Sequence, residues 1–167
     1  HAIAVNSATT ALHAAVAAMG VGPGDEVIVP PYTLSATATS VLFTGAVPVF
    51  ADIEPDFFCL DPKSVEANIT PYTKGILVVN LYGQPAALFE LRKIAKRHGL
   101  FLLEDNSQSP GALIEGKATG TIGDAGVFSF NRHKVMQCGE GGLIVTNNDR
   151  IAEVCRLVRN HGEKLVS

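Results

Sequence analysis

Lys74-Gly75-Ile76-Leu77-Val78-Val79-Asn80, followed by residues 86–98 and then by Leu100-Phe101-Leu102-Leu103-Glu104, is the stretch on which the fold turns. Two short, almost wholly apolar runs flank a segment in which Leu88, Leu91, Ile94 and Ala95 recur at helical spacing. A strand that is apolar on both faces needs cover on both faces. A helix joining two such strands therefore predicts a parallel pair inside a layered α/β domain.

The same alternation extends in both directions. Ser7 is placed to cap a helix with Leu12, Val16 and Met19 on one face, ended by Gly20. Residues 26–30 read as a short buried strand closed by Pro30-Pro31, and 33–43 as a helix weakened by β-branched residues and stopped at Gly45. Strands are expected at 46–51, 126–130 and 142–146, a short helix at 62–68, and a last helix capped by Asp149 and running through Val158. The sequence has no internal repeat, low-complexity tract or linker, so one domain is expected over 1–167.

Composition narrows the function. The chain has 167 residues, 47% apolar and 17% charged, with mean hydropathy +0.24, which excludes a disordered segment. A net charge of −3 leaves no basic footprint for nucleic acid, and no apolar run approaches the roughly 18 residues of a membrane span. Cys59, Cys138 and Cys155 are scattered and odd in number, which points to a reducing, cytoplasmic compartment rather than a disulfide scaffold. No secretory leader is visible, and a start at His1 without Met reads as part of a longer protein.

Three stretches are able to carry chemistry. Glu104-Asp105-Asn106-Ser107-Gln108 ends an apolar strand, where open α/β sheets bind ligands. Neighbouring strand residues point to opposite faces, so only one of the two carboxylates faces a given pocket. It could hold a cationic ring nitrogen, bind a metal, or cap the next turn, and turn capping is the commoner use. Ser129-Phe130-Asn131-Arg132-His133-Lys134 leads to Gly139-Glu140-Gly141-Gly142. A lysine among apolar and cationic neighbours becomes a nucleophile, although a lone lysine is more often only a surface group. Asn6-Ser7-Ala8-Thr9-Thr10 opens an Ala-rich helix, either as a simple cap or as a phosphate site. Taken together, an anion, an amine and a phosphate cup are what pyridoxal phosphate requires.

Other motifs fail on their chemistry. Residues 111–118 nearly spell a phosphate-binding loop, but Ala118 stands where a magnesium-binding hydroxyl is needed, and Gly120 and Gly123 oppose the helix that must follow. Gly20-Val21-Gly22-Pro23-Gly24 precedes a strand instead of following one. Histidines and cysteines lack paired metal spacing, so no metal site is expected. Asn68-Ile69-Thr70 matches a glycosylation sequon but is followed by Pro71. Of Tyr32, Tyr72 and Tyr82, two are expected to serve packing alone.

The ordered landmarks identify a resemblance. Asn6-Ser7-Ala8-Thr9-Thr10-Ala11-Leu12, Gly24-Asp25-Glu26-Val27-Ile28, Pro31-Tyr32-Thr33, Leu81-Tyr82-Gly83-Gln84-Pro85, Glu104-Asp105-Asn106-Ser107-Gln108, Gly139-Glu140-Gly141-Gly142 and Arg159-Asn160-His161-Gly162 follow one another as in the DegT/DnrJ/StrS family of sugar aminotransferases. The likeness covers residues 5–162. It implies the three-layer α/β/α large domain of pyridoxal-phosphate enzymes of fold type I, with a mostly parallel mixed sheet, an N-terminal arm before His1 and a small C-terminal domain after Ser167.

The resemblance also implies roles. Lys134 matches the lysine that forms the internal aldimine and moves protons, and Asp105 the acid that bonds the pyridinium nitrogen. Gln108 matches the residue near the ring's phenolic oxygen, while Ser129, Thr9 and Thr10 match the phosphate cup. Leu34 stands where the family often places an aromatic to stack on the cofactor. The implied reaction passes an amino group from an amino acid, typically glutamate, to a keto-sugar, usually nucleotide-linked, in a homodimer with shared sites. Relatives that dehydrate deoxysugars carry histidine in place of the lysine, so a dehydratase is the alternative enzyme, and a non-catalytic module that keeps the fold is the alternative outside catalysis.

Overall fold

The structure, a computed structural model, describes residues 1–164; residues 165–167, inside the expected 1–167 domain, lie outside the described residues. Along the chain run β1 (Ala2–Val5), α1 (Ala8–Ala18), β2 (Glu26–Val29), α2 (Ala36–Leu42), β3 (Val47–Phe50), α3 (Pro62–Ala67) and β4 (Thr73–Val79). They are followed by α4 (Leu88–His98), β5 (Phe101–Asp105), β6 (Leu113–Ile114), β7 (Lys117–Ala118), β8 (Ala125–Ser129), β9 (Gly142–Val145) and α5 (Asp149–Arg159).

Seven strands form one sheet in the order β1-β9-β8-β5-β4-β2-β3. The pairs β3·β2, β2·β4, β4·β5 and β5·β8 are parallel, while β9 runs antiparallel to β8 and to β1. The expected mostly parallel mixed sheet is present. Val27–Val29, Ile76–Val79 and Leu102–Leu103 are buried throughout, because helices cover both faces. α1 packs between α5 and α2 on one face, and α4 lies with α3 on the other. This makes three layers, α/β/α. Four of the six buried positions of helix α1 are alanine, Ala11, Ala14, Ala15 and Ala18 beside Leu12 and Val16, which lets it lie close to the sheet. Among the described residues no helix is long and apolar enough to cross a membrane.

Local rules account for the element ends. Ser7 Oγ accepts the Thr10 amide at 3.1 Å, as its cap position requires. Asp61 caps α3 through Lys63 N, with Pro62 in the first turn. Gly99, at φ 67°, closes α4 after Lys96, Arg97 and His98.

Two expectations are corrected, and one strand is added. The helix expected over 33–43 starts only at Ala36, since the chain leaving Pro30-Pro31 turns at Leu34 and Ser35 before Thr39 N reaches Ser35 O. The last helix is capped by Asn148, whose side chain accepts Ile151 N, and Asp149 lies in its first turn. Strand β1 was not anticipated, because four residues that pair antiparallel with β9 carry no periodic signal of their own. The stretch resembling a phosphate loop is the hairpin β6–β7, turning at Glu115 (φ 49°) and Gly116 (φ 75°), the two positive φ values of a type I′ turn.

Candidate active site

The carboxyl ends of β4, β5 and β8 and the start of α1 converge on one cavity of about 400 Å³. Its lining includes Ser7, Ala8 and Thr9 from the start of α1 and Thr33, Leu34 and Ala36 from the entry to α2. It also includes Asp105, Ser107 and Gln108 after β5, and Ser129, Asn131, His133, Lys134 and Glu140 after β8. Five of the side chains singled out in the sequence beside Asp105 therefore meet there: Thr9, Leu34, Gln108, Ser129 and Lys134.

Thr10 does not line the cavity. Its hydroxyl donates to Asn6 Oδ1 at 2.6 Å and its amide to Ser7 Oγ, so it shapes the turn that presents its neighbours. Helix geometry leaves the first-turn amides of Ala8 and Thr9 without partners inside the helix, at its positive end. The fit between this helix start and the sheet is close. A Cβ on Gly142 would stand 2.4 Å from the Ser7 carbonyl and 2.7 Å from Ala8 N.

Strand alternation separates the two acids of β5. Asp105 faces the cavity, 6% exposed, and its Oδ1 accepts the Ser107 amide at 3.0 Å. Burial pushes its carboxyl above the usual carboxylate range, opposed in part by Ser107 and by the Lys134 ammonium. Glu104 points away from the cavity and accepts backbone amides of the 119–123 segment. The sequence reading of a turn-capping carboxylate is met by Glu104, and the reading of a pocket-facing carboxylate by Asp105.

Lys134 sits on a loop held closed by its own backbone. Phe130 N donates to Gly141 O, Arg132 N to Gly139 O and Cys138 N to Phe130 O, at 2.9–3.0 Å. Asn131 Nδ2 donates to Glu140 Oε1 at 2.5 Å and Lys134 N to Asn131 O at 2.9 Å. Asn131 and Glu140 line the cavity without having been singled out for it. Their signal in the sequence was only their place beside Lys134 and inside the glycine run. Gln108 Oε1 accepts the Tyr82 amide at 3.2 Å, and the residue lines the cavity. Tyr32 and Tyr82 share a hydroxyl contact of 3.1 Å, Tyr32 also meets Phe58, and with Tyr72 all three tyrosines are exposed rather than packed in the core.

A buried acid, an amine and a helix start at strand ends define an α/β domain with an anion- and amine-equipped cavity. The sequence profile of the DegT/DnrJ/EryC1/StrS aminotransferase family matches residues 1–166, and the chain belongs to that family. It is 49% identical over 162 residues to GDP-perosamine synthase of Caulobacter vibrioides, covering 97% of this chain and 44% of that protein. To L-glutamine:2-deoxy-scyllo-inosose aminotransferase of Streptomyces kanamyceticus it is 48% identical over 162 residues, covering 97% and 38%.

Among solved structures it is similar to S. venezuelae DesV in complex with a ketimine intermediate, with TM-score 0.95, 44% identity, and 99% of this chain and 45% of that one covered. The NtdA structure from Bacillus subtilis with bound cofactor PMP matches at TM-score 0.89 and 38% identity, covering 100% and 39%. The fold is that of the fold type I pyridoxal-phosphate aminotransferases, and the chain spans less than half the length of the relatives it matches.

Proposed function

We propose that residues 1–167 are the cofactor-binding large domain of a pyridoxal-phosphate-dependent sugar aminotransferase. In this reading the enzyme moves an amino group from an amino acid, glutamate, to the carbonyl of a keto-sugar carried on a nucleotide. The observation that carries it is the meeting of Lys134 and Asp105 in one cavity beneath the start of α1.

The residues present fit the cofactor. Ser107 Oγ is buried in the cavity wall beside Asp105 with no hydrogen-bond partner among the described residues, a hydroxyl open to a polar ligand or to water. Asp105 would hold the ring nitrogen, since a buried carboxyl regains its charge most readily beside a cation. The Ala8 and Thr9 amides with the Ser129 hydroxyl would hold the phosphate. Gln108 would reach the ring oxygen, and Leu34 would lie against the ring. Pyridoxal phosphate, when bound, supplies an aldehyde for an amine to engage and a ring that withdraws electrons from the adjacent C–H bond. Lys134 presents the amine, and the same Nζ is the base that takes a proton from the reacting carbon and returns it. Retention of lysine at 134 favours amine transfer over dehydration.

The amino donor, the nucleotide-linked acceptor and a homodimer with shared sites follow from family membership as parts of this proposal. So does a cytoplasmic setting, which the free thiols of Cys59, Cys138 and Cys155 support. The test begins with pyridoxal phosphate and borohydride, followed by peptide mass mapping of the protein. A single reduced adduct on Lys134, and aminated product from a nucleotide keto-sugar with the full-length protein, are the expected results. Adducts spread over surface lysines in the full-length protein overturn the assignment.

A further inference from the structure

We propose that Glu104 is a positioning residue whose carboxylate clamps the 119–123 loop to the end of β5, and so sets Asp105 against the β8 strand that leads to Ser129 and Lys134. This rests on the reading of the cavity given above.

Glu104 is fully buried and lines no part of the cavity, yet its four hydrogen-bond donors make it the best-satisfied acid among the described residues. Oε1 accepts Ile122 N at 2.7 Å and Gly123 N at 2.6 Å; Oε2 accepts Gly120 N at 2.6 Å and Asn80 Nδ2 at 3.3 Å. Two donors on each oxygen fill the lone-pair positions of an ionised carboxylate, and a protonated acid would bring a hydrogen to a place already taken by a donor. None of these partners is a cation. A charge buried this way is a costly means of filling space, and an apolar side chain would fill it better. What the carboxylate supplies is direction, because three amides of one loop, those of Gly120, Ile122 and Gly123, converge on it as on a bound anion.

The loop has no slack to take up a displacement. A Cβ on Gly126 in β8 would stand 2.0 Å from Gly120 O, so the loop backbone lies directly on β8. Asp124, next along, grips β5 in return. Its amide donates to Leu102 O at 2.7 Å and its Oδ2 accepts Leu102 N at 2.8 Å. Asn80 joins the clamp to β4, bonding Asn106 Oδ1 at 3.1 Å and, through its own amide, Asp105 O at 3.0 Å. The strand bearing the cavity's acid and the strand leading to its amine are thus fixed to each other on the side facing away from the cavity.

The test uses the full-length protein. Glu104→Gln keeps the shape but turns an NH₂ group toward two N–H donors. Glu104→Asp keeps the charge but falls one methylene short, and it decides the matter should the Gln variant fail to fold. Two readouts are taken: amide hydrogen exchange of the ligand-free protein, and a pyridoxal phosphate titration followed by absorbance. Exchange is expected to accelerate at Gly120, Ile122 and Gly123. Beyond the clamp it should also accelerate at Asn106 and Phe130, whose amides are bonded to Val127 O and Gly141 O. The Kd should rise about tenfold or more.

Val65→Ala, in the buried face of α3, lowers stability without a route to the cavity; it is expected to leave the Kd unchanged and to accelerate exchange evenly at amides that open by global unfolding, without singling out Asn106 and Phe130. If the loop amides accelerate while Asn106, Phe130 and the Kd stay as in the parent, Glu104 is only a cap and the proposal is overturned. If the parent itself does not bind pyridoxal phosphate, the reading of function falls, and exchange at Asn106 and Phe130 still decides this inference.

Discussion

Asp105 is held in a position that is unfavourable for the ligand-free chain. Burial raises its pKa, so the folded state binds that proton more tightly than the unfolded state. The group's stabilising contribution is complete below the ordinary carboxylate range and is lost as pH rises through the raised value. At neutral pH the buried carboxylate is a net cost. Asp105→Asn is therefore expected to make the ligand-free protein more stable at neutral pH, with the gap closing as pH falls, in thermal melts taken across that range. The same change should weaken pyridoxal phosphate about 10- to 100-fold by titration, the worth of a charge-assisted hydrogen bond. Leu34 works in the opposite sense. It lines the cavity yet is 66% exposed, and Leu34→Phe adds a ring able to stack, worth about 0.5–1.5 kcal/mol. A Kd lowered by a few-fold in the same titration is the expected outcome. Gln108 was reached through the family resemblance, whereas Asp105 and Ser129 were legible as candidates because each ends a strand, and Lys134 because it is the lysine of the polar loop that follows β8. Thr10 and Glu104 were not. Whether a hydroxyl faces a cavity or its own turn, and whether a carboxylate meets loop amides 16–19 residues away, is settled by tertiary packing alone.

At the scale of elements, the start of α1 is fixed by one cap and one close approach. Ser7→Ala removes the side chain that accepts Thr10 N and should lower stability by about 1 kcal/mol. Gly142→Ala is expected to do more, roughly 1–3 kcal/mol, because the new methyl meets backbone that cannot rotate away. It should also weaken cofactor binding by moving the Ala8 and Thr9 amides. Chemical denaturation and titration of the two variants separate the effects. The apolar strands and amphipathic helices were readable to within a few residues. Fully apolar runs such as residues 76–79 have few alternatives, and α4 carries its apolar stripe and its closing Gly99 in plain view. The entry to α2 was not readable, because Thr33, Leu34 and Ser35 are compatible with a helix and are drawn out of it by the turn that shapes the cavity.

At the scale of the molecule, the surface around α2 and β3 is unusually apolar. Leu42 and Phe43 at the end of α2, and Val47 and Phe50 on the edge strand β3, are each more than half exposed. Apolar surface gathered on an edge favours association, here with a second copy of the chain in keeping with the proposed homodimer. Sedimentation velocity of the 167-residue chain is expected to show self-association, and Phe43→Glu with Phe50→Glu to reduce it. A monomer at all concentrations would place the dimer contacts elsewhere.

The pairing of β1 with β9 joins Ala2 to Val145, and the same β9 brings Gly142 against Ser7. During synthesis, β1 must therefore wait until residues up to 145 have left the ribosome before it finds its neighbour. Closing so long a loop adds little to the final entropy, but contacts this distant in sequence slow folding. The close approach that seats the start of α1 against the sheet comes only when β9 arrives, so within residues 1–164 the cavity is completed late. In the proposed reading, capture of the cofactor then waits on β9, and a nascent chain that stops before residue 142 emerges with a helix start held by its Ser7 cap but without the close approach of Gly142.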